Sequence, residues 1–314
     1  SILRQTGLIV RIGTLIPEIK QPTTLELSGG GRITLEPVIR NGNRVGLKDF
    51  DPCAVLLNND LSAGVPDVLK GIEQTIMPPL HAGWATRRKS RHFAAYQHLA
   101  GEFSRLINID PWLIDPLFDR CGKIDFQARV GEECLASKTS DLLDRIRDKY
   151  REYGIHHDPF VIVKADAGTY GMGIMTVRDA SEVRDLNRKQ RNKMAVVKEG
   201  LQVTEVIIQE GVHTFETIEG NVAEPVVYMI DRYVVGGFYR VNTGRGRDEN
   251  LNAPGMRFEP LAFDTCCSLP DAACAPDDAP NRFYAYGVVA RLALLAAARE
   301  LERYAPSELA EAAA

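Results

Sequence analysis

A lysine that closes an apolar run and is followed at once by a glycine-rich loop constrains this chain most. Lys164 ends the run 160–164, and strand-like residues return at 175–177. The loop between them carries three glycines, Gly168, Gly171 and Gly173. Glycine lets the backbone adopt positive φ and lets N–H groups approach an anion with no side chain in the way. Because strand alternation fixes the lysine ammonium beside that loop, the pattern predicts a hairpin that covers a polyphosphate.

The loop matches neither of the two common nucleotide-binding patterns. A P-loop requires Gly-x-x-x-x-Gly-Lys-Ser/Thr leading into a helix, and a dinucleotide-binding turn also leads into a helix, whereas β-branched residues follow here. Two interpretations therefore stay open: a phosphate-covering hairpin, and a glycine-rich turn beside an exposed lysine.

Length and composition bound the class of protein. The chain has 314 residues, of which 45% are hydrophobic and 25% charged, as in folded proteins with room for two domains. Its net charge of -4 gives no basic surface for nucleic acid, and no apolar stretch approaches the roughly 18 residues that span a bilayer. We therefore expect a cytoplasmic protein that binds neither nucleic acid nor membranes. The six cysteines lack a paired Cys-x-x-Cys framework and are expected to be reduced thiols.

Residues 1–83 predict an N-terminal α/β domain. Strand-like segments occur at 7–13, 33–35 and 54–60, and the last of them is expected to be a buried strand. Its polar end consists of Asn58, Asn59 and Asp60, which suit either a substrate contact or a simple turn. A pair of prolines at 78 and 79 breaks the pattern, so we place the domain boundary there.

Residues 84–314 form the second predicted domain, with 158–213 as a lid subdomain that covers the nucleotide. Helices are expected at about 86–106, 137–153 and 179–193. The first of these helices opens with a basic cluster of Arg87, Arg88, Lys89, Arg91 and His92. That cluster is either a solvated helix face or a contact for phosphates or a substrate carboxylate.

Three further features follow Lys164 along the chain. An apolar strand stops at Gln209 and Glu210, where backbone groups suit an adenine edge and a carboxylate suits ribose hydroxyls. A hairpin over 224–242 then delivers Arg240 on its second strand. Ten residues after Arg240 begins the run Asn250-Leu251-Asn252-Ala253-Pro254-Gly255.

In this order the features resemble the ATP-grasp superfamily over roughly residues 86–260. The resemblance implies an α+β fold of ATP-grasp type with a preceding N-terminal α/β domain, and a nucleotide held between two subdomains. It also implies that Lys164 holds the α- and β-phosphates of ATP, and that the three loop glycines cover the β- and γ-phosphates.

The same resemblance assigns roles to the later motifs. Gln209, Glu210 and Val212 are expected to line the adenosine site. Arg240 is expected to stabilise the transferring phosphoryl group, a task that suits a fixed guanidinium. The resemblance further implies that Asn250 and Asn252 position the phosphate or its metal.

Two motifs are more particular, Lys-Ala-Asp-Ala-Gly-Thr-Tyr-Gly-Met-Gly-Ile at 164–174 and Asp-Glu-Asn-Leu-Asn-Ala-Pro-Gly at 248–255. Both resemble the proteobacterial glutamate-cysteine ligase family of ATP-grasp type. The implied ligands are glutamate, cysteine, ATP and Mg²⁺. The implied reaction makes γ-glutamylcysteine for glutathione synthesis through a γ-glutamyl phosphate. A homo-oligomer is expected by the same analogy.

The sequence departs from the superfamily at its expected metal ligands. No Glu-x-Asn follows Gly255, where the superfamily usually places them. The substitutes within the chain are four carboxylates, Glu224, Asp231, Glu249 and Glu259. An alternative source is a segment upstream of Ser1, since the chain does not start with methionine. Pro254 also replaces a glycine that is common in the superfamily, which stiffens the turn and removes one N–H donor.

Three functions remain in competition at this point. The first is glutamate-cysteine ligase. The second is another ATP-grasp carboxylate-amine ligase, such as a glutathione synthetase-like or peptide-tagging enzyme. The third is a non-catalytic module that binds ATP without turnover.

Overall fold

The computed structural model describes residues 2–5, 7–27, 30–84, 87–167, 173–196, 202–260 and 282–303. The chain divides into two compact units, Ser1–Ala85 and Thr86–Ala314. None of the helices in the described ranges is both long enough and apolar enough to cross a bilayer.

The first unit is built mainly from short strands. Its strands are β1 (Ile12–Thr14), β2 (Thr23–Glu26), β3 (Arg32–Pro37), β4 (Ile39–Asn41), β5 (Arg44–Gly46), β6 (Ala54–Leu56) and β7 (Thr75–Met77). Strand β3 pairs with β1 in parallel and with β2 in antiparallel, while β4 and β5 form a hairpin. Helices in the described part of this unit are short: α1 (Ile2–Gln5) and two 3-10 turns, Asp67–Leu69 and Leu80–Ala82.

The prediction of a buried strand over 54–60 is wrong. Strand β6 is only three residues long, and Leu56 is 64% exposed. The strand pairs with β7 alone, in a two-stranded ribbon that covers little of either face. Beyond it, the side-chain oxygens of Asn59 and Asp60 accept the N–H groups of Leu61 and Ser62, so these polar residues form a turn.

The second unit contains a four-stranded antiparallel sheet with the order β10-β9-β11-β8. We call it the lysine sheet, because its strand β9 carries Lys164. Its strands are β8 (Phe118–Gly122), β9 (Val161–Ala165), β10 (Ile174–Val177) and β11 (Glu205–Glu210). Helix α3 (Glu132–Glu152) contributes Leu142, Leu143 and Ile146 to the core shared with Val163 and Ile208. The lysine sheet therefore extends beyond the predicted lid subdomain of 158–213, because it includes β8.

The single helix expected at 179–193 is instead two helices, α4 (Ser181–Arg184) and α5 (Arg188–Ala195). Asn187 explains the break, because its side chain caps α5 in a reciprocal capping box with Gln190. The helix expected at 137–153 begins earlier, at Glu132, directly after Gly131 in the left-handed region at φ +83°. The helix expected at 86–106 is α2 (Lys89–Ile107).

A second antiparallel sheet has the order β12-β13-β14-β15. We call it the arginine sheet, because its strand β14 carries Arg240. Its strands are β12 (Thr217–Ile218), β13 (Asn221–Ile230), β14 (Tyr233–Asn242) and β15 (Met256–Pro260). The predicted hairpin over 224–242 is confirmed, and its turn contains Asp231 in the left-handed region at φ +51°. Helix α6 (Arg282–Arg303) packs on α2 through a small separate core that includes Tyr96, Leu99 and Leu292.

Candidate nucleotide-binding site

Lys164 lies in the middle of the lysine sheet, on the half-buried face of β9. It pairs across the ladder with Ile207 of β11, so that Gln209, two residues further along, shares its face. The Lys164 Nζ donates to Gln209 Oε1 at 2.6 Å. Strand pairing therefore brings together two predicted site residues that are 45 positions apart in the chain.

The surroundings of Lys164 are largely apolar. Its ammonium lies 5.6 Å from the ring centre of Phe93 on α2, in a cation–π contact. Burial lowers the pKa of Lys164 to about 8, although the carboxylate of Asp166 acts in the opposite direction. A cation held in so dry a place attracts an anion more strongly than the same cation in water.

Lys89, at the first position of α2, lies beside Lys164. Its Nζ donates to the carbonyl oxygen of Ala165 at 2.9 Å, just where β9 ends. Burial lowers the pKa of Lys89 to about 8, and the neighbouring charge of Lys164 lowers it further. The basic cluster is therefore not a solvated face at Lys89, which stays a proposed contact for phosphate. Arg87 of the same cluster instead binds Glu300 at 2.8 Å.

The glycine loop is described only at its ends. Gly168 and Gly171 lie outside the described residues. Gly173 has φ +62°, in the region that L side chains rarely adopt, and its carbonyl accepts the N–H of Ala165 at 3.1 Å. This bond closes the β9–β10 hairpin immediately below the loop, which confirms the predicted strand, loop and strand order.

Glu210 does not take the position expected for a contact with ribose. It is 6% exposed, and its carboxylate accepts from Trp112 Nε1 at 3.0 Å and from the N–H of Leu117 at 2.9 Å. Strand alternation is the reason: Gln209 faces Lys164, so Glu210 points to the opposite, core side. Burial raises the pKa of Glu210. Val212, two residues beyond, is 67% exposed and offers an apolar surface at the end of the strand.

Arg240 lies on β14 directly opposite Glu224 of β13, and the two side chains form an ion pair. Within the described part of the chain, its buried Nε has no hydrogen-bond partner. A buried guanidinium donor that is left unpaired costs free energy, and an anionic ligand would satisfy it. The Nε of Arg257, on the other face of the sheet, is in the same state, so this feature alone does not single out Arg240.

Asn250 and Asn252 lie in the expected turn, between β14 and β15. Asn250 Oδ1 accepts the N–H of Asn252 at 2.9 Å, so the first asparagine shapes the turn. Asn242, which is 2% exposed, donates to the carbonyl groups of Leu251 and Ala253 at 3.4 Å. Asn242 thus holds the turn that carries the two predicted asparagines, and the sequence reasoning did not identify it. The only indication in the sequence was that a polar residue ends the strand of Arg240.

The turn that contains Asn250 follows a loop that contacts the lysine sheet. Arg178, just after β10, forms an ion pair with Asp248. The N–H of Thr214, four residues beyond the end of β11, donates to the carbonyl of Arg247 at 2.8 Å. The structure thereby joins the Asn250 segment to the segments that flank β10 and β11.

The four carboxylates predicted as metal ligands do not come together. Glu224 is paired with Arg240, Glu259 with Arg257 at 2.9 Å, and Glu249 with Arg245 at 2.9 Å. The ladder places Glu259 opposite Tyr239, on the other face from Arg240. Asp231 lies at the hairpin tip, separated from Arg240 by the strand from Tyr233 onward, about 23 Å of its length. Among the described residues, no group of three or more His, Cys, Asp or Glu could hold a metal ion.

Comparisons with known proteins bear on the family of this chain. The model of the glutamate-cysteine ligase family, GshA, matches residues 1–301. A crystal structure from Methylobacillus flagellatus, of a protein described as a candidate gamma-glutamylcysteine synthetase, is 68% identical with a TM-score of 0.87, over 97% of this chain and 72% of that one. A structure of a D-cycloserine synthetase is 13% identical over 73% of this chain and 57% of that one. Its TM-score of 0.34 is too low to indicate a shared fold. No curated protein sequence matches the chain.

These matches define the class of protein, an ATP-dependent ligase. The whole-chain match identifies it further: the chain belongs to the glutamate-cysteine ligase family.

Proposed function

We propose that the protein joins the γ-carboxylate of glutamate to the amino group of cysteine at the expense of ATP. The products are γ-glutamylcysteine, ADP and phosphate, and the reaction is the first step of glutathione synthesis. The observation that carries this proposal is the family match over residues 1–301, to which the relative from Methylobacillus flagellatus adds support.

The proposed reaction has two steps. A γ-carboxylate oxygen of glutamate attacks the γ-phosphorus of ATP, the bond to the bridging oxygen breaks, and ADP leaves. The amino group of cysteine then attacks the carbonyl carbon of the γ-glutamyl phosphate. Phosphate leaves, and the nitrogen loses a proton. No protein nucleophile takes part, so catalysis depends on positioning and on stabilisation of the developing charge.

The lysine sheet supplies the proposed phosphate contacts. Lys164 and Lys89 come from different elements and bring two ammonium groups to the end of β9, next to the glycine loop. A pair of half-buried cations suits two adjacent phosphates better than a single carboxylate, because each cation would face its own charge. Gln209 Oε1 fixes the Lys164 ammonium by accepting from it. Val212 offers the apolar surface on which an adenine ring could lie.

The arginine sheet supplies the proposed transition-state contact. Arg240 is held by Glu224, and its Nε is buried without a partner among the described residues. We assign it to the charge that builds up on the transferring phosphoryl group. Asn250 and Asn252 remain proposed contacts for phosphate, in a turn that Asn242 keeps in place.

Magnesium has no supported place among the described carboxylates. Each of Glu224, Glu249 and Glu259 is engaged by an arginine, and they do not form one cluster. No step of the proposal therefore runs through a metal held by these residues.

The test is ADP release from ATP with single amino acids and with pairs of amino acids, with the variant Lys164→Met at sub-saturating ATP as the control of lowered activity. The proposal expects release only when glutamate and cysteine are both present. A requirement for a different pair would replace the substrates and keep the ligase class. Equal ADP release with and without amino acids would contradict a ligase altogether.

A further inference from the structure

Asp166 is a charged residue in the interior, and the reaction proposed above does not use it. It is 2% exposed and lies between the end of β9 and the start of the glycine loop. A buried carboxylate is costly unless it is paired or well hydrogen-bonded, so its position requires a physical reason.

The carboxylate of Asp166 is bound to the start of α2. One of its oxygens accepts the N–H of Ser90 at 2.7 Å, and the other accepts the Ser90 hydroxyl at 2.7 Å. The residue before the helix, Arg88, provides no side-chain cap. Asp166 therefore supplies the cap from another element, and its negative charge lies at the positive end of the helix dipole.

The backbone of Asp166 makes a second set of contacts to the same helix. Its carbonyl accepts the N–H of Lys89 at 2.9 Å, and the Lys89 Nζ at 3.4 Å. Its own N–H donates to the carbonyl of Glu205 on β11 at 3.0 Å. One residue thus joins the first turn of α2, the end of β9 and the neighbouring strand.

The junction at Asp166 connects the two elements that carry the ammonium groups of Lys89 and Lys164. Lys89 is the first residue of α2, and Lys164 precedes Asp166 by two positions on β9. Among the described residues, the charge of Arg88, at the start of α2, also acts on Lys89, and Arg88 pairs with Glu205 at 3.4 Å. Glu205 is thus already engaged by an arginine, and the carboxylate of Asp166 raises the pKa of both lysines.

We propose that Asp166 is a positioning residue that holds Lys89 and Lys164 together as a charged pair facing the nucleotide phosphates. The two lysines repel each other, and Asp166 offsets that repulsion while it fixes the helix start to the strand end. The inference rests on the proposed function, because it takes ATP as the ligand. It differs from a purely structural cap in that it predicts an effect on the pH dependence of ATP binding.

The sign of that dependence follows from the lysines. Their pKa values of about 8 mean that both lose charge as the pH rises through that value. Binding of the ATP polyanion requires the charged form, so affinity should be high below about pH 8 and should fall above it. Removal of the Asp166 charge lowers both pKa values further, so the fall should begin at a lower pH.

The experiment compares ATP dissociation constants of the wild type, Asp166→Asn and Ser90→Ala, measured by calorimetry from about pH 6 to about pH 9.5, on both sides of the wild-type and the expected variant midpoints. Asp166→Asn keeps the shape and removes the charge, whereas Ser90→Ala removes a hydroxyl donor and keeps the charge. We expect the midpoint of Asp166→Asn to lie about one pH unit below that of the wild type. Ser90→Ala should keep the wild-type midpoint even if its affinity is lower.

Kinetics give a second readout for the same variants. Near neutral pH, Asp166→Asn should raise the KM for ATP while kcat at saturating ATP stays within about twofold, as expected for a loss of uniform binding. If Asp166→Asn does not fold, as judged by circular dichroism, Asp166→Ser removes the same charge and takes its place in both measurements.

Each outcome bears on a separate claim. A downward shift in Asp166→Asn and none in Ser90→Ala supports the inference. Equal midpoints in all three proteins would overturn it and leave Asp166 as a helix cap. Failure of the wild type to bind ATP at any pH would instead overturn the proposed function.

Discussion

The lysine sheet and the arginine sheet are both four-stranded and antiparallel, yet their apolar side chains are covered to very different extents. In the lysine sheet, Val163, Ile207 and Ile208 are fully buried. In the arginine sheet, Tyr228 and Phe258 are more than half exposed. The first sheet therefore places Lys164 on a tightly packed support, whereas Arg240 relies on its ion pair with Glu224. We infer that the first sheet sets nucleotide affinity and that the second acts in the chemical step.

The largest expected effect concerns the packing itself. Ile208→Ala should lower the free energy of unfolding by about 3 kcal/mol, because it opens a cavity in the core between the lysine sheet and α3. Its matched control is Ile230→Ala at the 44%-exposed end of β13, where we expect a loss below about 1 kcal/mol. Urea unfolding measures both, and equal losses would remove the contrast between the sheets.

Arg240→Ala tests the chemical role of the arginine sheet. We expect turnover to fall by on the order of 10²-fold, with ATP affinity nearly unchanged, as for a contact made in the transition state. Arg257→Ala is a close control, since Arg257 is also paired with a glutamate and lies on the opposite face of the sheet. If both variants lose the same activity, Arg240 has no special role.

Lys164→Met tests the nucleotide role of the lysine sheet. Loss of a half-buried cation should weaken ATP binding by roughly 30-fold, about 2 kcal/mol. Lys138→Met provides the comparison, because Lys138 is paired with Asp119 of β8, at the other edge of the sheet from β10. We expect ATP affinity to be unchanged in that control. An intact affinity in Lys164→Met would contradict the assignment of the phosphate site.

Gly173→Ala should have the smallest effect of the series. At φ +62°, a side chain costs about 1 kcal/mol, which would distort the base of the glycine loop and lower turnover several-fold. Gly101→Ala, in the interior of α2 and with open space around the added carbon, should instead be neutral or slightly stabilising. Thermal unfolding and ADP release, measured on both variants, would distinguish a local distortion from a general loss of stability.

Local periodicity accounts for what the sequence predicted correctly. The order of strand, loop and strand around Lys164 could be predicted because β-branched residues occur on both sides of a glycine-rich run. Alternation along a strand also contained the answer for Glu210. Neighbouring residues face opposite sides, so Gln209 and Glu210 could not both line one site. The error lay in treating the pair as a unit.

Long-range contacts account for what could not be predicted. Lys89 joins Lys164 only because α2 begins beside the end of β9. The two lysines are 75 positions apart in the chain, and no periodic signal spans that distance. The ion pairs that engage Glu224, Glu249 and Glu259 depend on strand register, which sequence alone specifies poorly. Sequence alone also could not tell Lys89 from the other cationic residues of the basic cluster, because only its contact with the end of β9 sets it apart.

The central claim is that the carboxylate is activated by direct phosphorylation at this site. It is tested most directly with glutamate labelled with oxygen-18 in its γ-carboxylate, in a reaction with ATP and cysteine, followed by mass spectrometry of the phosphate released. The account predicts that one labelled oxygen passes from glutamate to each phosphate. Phosphate without the label, alongside formation of the dipeptide, would contradict it.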